Sequence, residues 1–129
     1  MKLFQAMAIV LLFATLVGCQ QATSSTSTST AVTGISITAG TPSAGSVSGT
    51  TWTTASSGTQ TLQLTSVLAP SGATGTVTWS SSDTGNYDNV TVSSTGLVTD
   101  KGYAGTVTIT ATVGSYTATF TVDTNNWPN

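Results

Sequence analysis

At 129 residues the chain has room for one domain, and only 5% of its side chains are charged, giving a formal net charge of −2. It has no histidine and one cysteine, which excludes an imidazole base, a His-bearing metal site and an intramolecular disulfide. More than a third of the residues are Ser or Thr and the good helix formers are scarce beyond the first twenty, so an all-β fold is predicted.

The chain opens with Lys2 and an apolar run from Leu3 to Val17. That run falls short of the roughly 20 residues a membrane span needs, so residues 1–18 read as a helical export signal. Leu16-Val17-Gly18-Cys19 resembles the bacterial lipobox, in which small residues precede an obligatory Cys. The resemblance implies that Cys19 is a lipid attachment site and that the mature chain is exported and anchored by its acyl chains to the bacterial cell membrane. Gln20, standing where Asp would retain a lipoprotein at the inner membrane, points to the outer membrane if the host has two. Residues 19–31 carry a Ser/Thr tract with no apolar period. Such a segment cannot bury enough surface to offset its ordering entropy and reads as a disordered linker with an end-to-end distance of roughly 20 Å.

Residues 32–123 alternate apolar and polar side chains, the mark of strands with one face in a core. Ile35 and Ile37 begin the pattern. Residues 39–59 are rich in Gly, Ser and Thr around Val47 and Trp52 and read as a weak edge strand flanked by loops. Leu62, Leu64, Ser66 and Leu68 then share a side, Val77 and Trp79 follow with Trp79 placed in the core, and Val90 with Val92 and Leu97 with Val98 flank a Ser94-Thr95-Gly96 turn. Val107, Ile109, Ala111 and Val113 alternate with Thr, as do Tyr116, Ala118, Phe120 and Val122, and Gly114-Ser115 between them suits a two-residue hairpin turn. About seven short strands with turn signals predict an immunoglobulin-like β-sandwich, with residues 124–129 as a tail.

The segments VTWSSSD (Val77 to Asp83), VTVSSTGLVTDKGYAGTVTITATVG (Val90 to Gly114) and YTATFTV (Tyr116 to Val122) resemble the group 2 bacterial immunoglobulin-like domain. VTGISIT (Val32 to Thr38) and TLQLTSVLAPSGA (Thr61 to Ala73) match its earlier strands in order. The resemblance implies surface presentation, adhesion or spacing, and it brings no active site. Two stretches depart from the family pattern: Thr84 to Asn89 lengthens one loop, and the segment between the first strand and Thr61 is longer than usual.

The residues themselves also point away from an enzyme. Asp83 and Asp88 are the nearest thing to a carboxylate pair, but Asp in a Gly/Asn-rich loop usually bonds its own backbone. The loop bearing Asp83, Asn86 and Asp88 offers oxygen ligands and is a candidate for Ca²⁺, although it lacks the spacing of an EF-hand and a bidentate Glu; no other cofactor is indicated. Trp52, Tyr87, Tyr103 and Trp127 are the candidate ligand contacts, because aromatic rings outside the core stack on sugars and anchor protein interfaces. After signal removal Lys101 is the only basic side chain, against Asp83, Asp88, Asp100 and Asp123, which argues against nucleic acid as a partner. The partners expected are the membrane through the anchor, a protein or glycan at the surface, or further copies of the chain paired through Thr-rich strand edges.

Overall fold

A computed structural model describes residues 29–55, 58–84, 89–102 and 105–124. The described chain is all-β. Its strands are β1 (Gly34–Ala39), β2 (Ser46–Ser48), β3 (Thr51–Thr53), β4 (Gln60–Ala69), β5 (Thr78–Ser81), β6 (Val90–Val92), β7 (Leu97–Asp100), β8 (Thr106–Val113) and β9 (Tyr116–Asp123). They form two sheets, one ordered β1-β4-β7-β6 and the other β2-β3-β9-β8-β5. Nine strands replace the expected seven or so chiefly because the weak strand around Val47 and Trp52 resolves into a short hairpin, β2–β3.

Strand periodicity sets what each sheet gives the core. Leu62, Leu64, Val90 and Val98 come from one sheet, and Trp52, Ile109, Phe120 and Val122 from the other; all eight are buried. The alternation read from β4, β8 and β9 places Leu62, Leu64, Ile109, Phe120 and Val122 inward, and the longest strand pairing, β8 with β9, turns through Gly114-Ser115 with Val113 opposite Tyr116. Gly114 takes φ of 57°, a left-handed conformation that a two-residue turn needs and Gly adopts without a Cβ clash.

The two lateral seams of the sandwich differ. On one side the chain leaves β1 and continues along β4, with Gly40 N donating to Gln63 O and Ser43 N to Thr61 O at 2.8 Å each. It then crosses to the other sheet, where β3 pairs parallel to β9 with Trp52 opposite Val122. The Trp52 indole N–H donates to Ala44 O at 2.9 Å and the side chain is 0% exposed. Trp52 therefore plugs this seam, and its expected role as a ligand contact is corrected: a ring with no accessible surface cannot meet a partner. The longer segment before Thr61 is thus an addition that closes the sandwich.

On the other side, β5 and β6 are the free edges of their sheets. Among the described residues, the connection between these strands is tied down near Asp83, and none of those residues covers the rest of the seam. Trp79 faces inward opposite Ala111 but sits on the edge strand, so it packs against the core from the rim and remains half-buried. Trp79 thus packs on the core as its register predicts, but Trp52 is the more fully enclosed of the two tryptophans.

Candidate functional site

The open seam holds two adjoining clefts that share Asp83 and Val90. One, about 240 Å³, is bordered by Ser82, Asn89, Thr106 and Thr124; the other, about 300 Å³, by Trp79, Ser81, Thr91 and Val92. Both combine hydroxyl groups with apolar side chains, and among the described residues on their walls Asp83 is the only charged one.

Local hydrogen bonding fixes the end where the two clefts meet. Asp83 Oδ2 accepts from Asn89 N at 2.8 Å and Val90 N at 3.0 Å. Ser81 Oγ donates to Val90 O at 2.7 Å and accepts from Asp83 N at 3.2 Å. Ser82 holds the crossover to β8, its Oγ accepting from Thr108 N and its N donating to Thr108 O, both at 2.9 Å. Asp83 is thus a loop cap: a short carboxylate placed where two backbone N–H groups would otherwise go unpaired as the chain enters β6. Asn89 borders the first cleft, but its Oδ1 is buried beneath the wall without a hydrogen-bond partner.

At the other end of the seam, Gly96 makes room for Trp79. Gly96 has φ of 84°, its carbonyl accepts from Leu64 N at 2.9 Å, and a Cβ there would lie 2.5 Å from Leu64 O and 3.0 Å from the Trp79 ring. The Gly96-Leu97-Val98 turn therefore serves the half-buried indole as well as the chain reversal.

Of the residues singled out from the sequence, Asp83 lies at this site and Trp52 lies in the core. Cys19, Asn86, Tyr87, Asp88, Tyr103 and Trp127 fall outside the described residues. Asp83 Oδ2 is committed to backbone N–H groups, and no cluster of three or more metal-ligating His, Cys, Asp or Glu side chains occurs among the described residues. Sequence reasoning missed Trp79 and Asn89 as site residues. An indole in register with Val77 signals an inward direction, and only the sheet order shows that its strand is an edge.

The model of the bacterial Ig-like domain (group 2) matches residues 31–123. No match is found among curated proteins.

Proposed function

The chain belongs to the group 2 bacterial Ig-like domains, and on that premise we propose that it is a non-catalytic interaction module, exported and lipid-anchored through Cys19, that holds a glycan or protein ligand in the open seam. The observation that carries this reading is the pairing of a half-buried Trp79 with hydroxyl-lined clefts. An indole supplies apolar area with little rotamer entropy to lose, and surrounding hydroxyls give the directional bonds that orient a sugar or a peptide. None of the described residues lining the seam supplies a cation for an anionic polymer.

Two measurements test the proposal. Intact mass and membrane fractionation should show a shortened, acylated, membrane-bound wild type beside an unprocessed Cys19→Ser variant; identical soluble behaviour of the two would remove the anchor. Screened on a glycan array and by fluorescence titration with the resulting hits, the wild type should bind with a change in indole emission and Trp79→Ala should not; binding that survives Trp79→Ala would place the ligand elsewhere.

A second reading has its own observation. β1 and β5 lie at sheet edges and contain neither charge nor proline, the usual guards against edge pairing. A structural subunit joined through these edges would assemble with rising concentration in sedimentation runs without added ligand, and Thr78→Lys or Ser36→Lys would prevent it.

A further inference from the structure

The outer face of the five-stranded sheet is a lattice of hydroxyl groups. Trp52, Ile109, Ala111, Phe120 and Val122 point into the core, so their sequence neighbours point out. Strand register then sets these neighbours in rows. Thr108 stands opposite Thr121, which stands opposite Thr51; Thr110 lies between Thr119 and Ser80; Thr112 lies between Thr117 and Thr78. All nine are half-buried or exposed, and none is charged or aromatic; the next row, Thr53, Asp123 and Thr106, carries one carboxylate and bounds this uncharged patch at one end. Neighbours along a row are about 4.8 Å apart and successive rows about 6.7 Å apart.

We propose that this face binds an ordered, uncharged lattice of water, the surface of ice. Its charge identifies its complement: the nine-residue patch is neutral and the one charge at its border, Asp123, is acidic, so it gives no hold to an anionic polymer or a lipid head group, and what matches the patch is a neutral surface. Protein partners are held chiefly by Trp, Tyr and Arg, with Ser and Thr under-represented, and sugar rings by aromatic platforms; the lattice has none of these. Facing a second copy, its hydroxyls would lose water without directed partners to replace it. An ordered water surface instead meets many hydroxyls at once with acceptors and donors on a repeating grid of comparable scale. Each Thr adds a methyl group that orders the neighbouring water, and its β-branched side chain is held to few rotamers, so the grid stands largely formed before contact. Sheet twist of about 20–25° between neighbouring strands confines the match to a patch two or three strands wide. The activity expected is therefore retention at an ice front and slowed recrystallisation, with little depression of the freezing point.

The experiment uses the full-length chain in dilute non-ionic detergent, slowly frozen from one side beside a carrier protein. The fraction retained in the ice is measured for wild type, Thr110→Lys at the lattice centre, and Val67→Lys, which places the same charge on the outer face of the other sheet; unfolding temperatures identify any variant that is not folded. Wild type and Val67→Lys should be retained, and Thr110→Lys rejected to the level of the carrier. Should Thr110→Lys fail to fold, Thr119→Lys on the exposed neighbouring strand takes its place. Rejection of the wild type, or equal retention of all variants, overturns the proposal, as does a wild type that ignores ice but dimerises or sediments with crystalline cellulose through this face. Trp79→Ala, which tests the seam, should leave ice retention unchanged, so failure of one reading leaves the other standing.

Discussion

The two seams of the sandwich are built from the same materials, a tryptophan, a glycine-bearing turn and a crossover between sheets, and they end in opposite states. On the β2–β3 side the crossover runs along the edge of β4 and adds a strand to the other sheet, so Trp52 is enclosed and its N–H satisfied by Ala44 O. On the β5–β6 side the crossover is pinned at one end by Asp83, and Trp79 is left half-buried beside two clefts. The lesson is that the residue type does not decide between core and site. What decides is whether backbone covers the ring, and the additional hairpin provides that cover on one side only.

Four substitutions would break or sharpen this contrast. Trp52→Ala should cost the most, about 3–5 kcal/mol, because the cavity lies in a region with no room to collapse; chemical denaturation reads it, and a loss under about 1 kcal/mol would mean that the hairpin does not close the seam. Trp79→Ala should cost less than Trp52→Ala, about 2 kcal/mol, since part of the ring's surface stays in water, while abolishing ligand binding at the seam. Gly96→Ala should cost about 2 kcal/mol, from a left-handed backbone that Ala tolerates poorly and a Cβ pressed on Leu64 O and the Trp79 ring; its indole emission should shift because the ring must move. Asp83→Ala should cost about 1–2 kcal/mol by leaving the Asn89 and Val90 N–H groups without their acceptor, with amide exchange accelerating there and remaining slow in β8 and β9. An equal cost for Trp79→Ala and Trp52→Ala would erase the distinction between the seams.

Much of the fold was legible because its strongest signals are local. β8 and β9 are consecutive, alternate strictly and are joined by a Gly that fits a two-residue turn, so their inward residues Ile109, Ala111, Phe120 and Val122 follow from the chain alone. Leu62 and Leu64 follow from the same period in β4. β3 is another matter: three residues are too few to show a period, its neighbours are Gly, Ser and Thr, and its partner β9 lies far along the sequence in parallel. The burial of Trp52 depends on that distant pairing. The half-exposure of Trp79 depends on β5 being an edge, a property of sheet order that no local window contains. Asp83 was legible as turn chemistry, and the structure supplies the two N–H groups it caps.

The direction of β1 carries a mechanical consequence. The described chain enters beside Ala73 and runs along β1 antiparallel to β4, with Gly34 opposite Ala69 and Ala39 opposite Leu64, away from that end of the sandwich and toward the one where Asp83 caps its loop. If the domain is pulled between an amino-terminal anchor and a ligand held near Asp83, the load runs along the strand axis. All six β1–β4 residue pairs then resist together in shear, where a pull across the strands would open them one at a time. A module tethered in this way is built to bear tension.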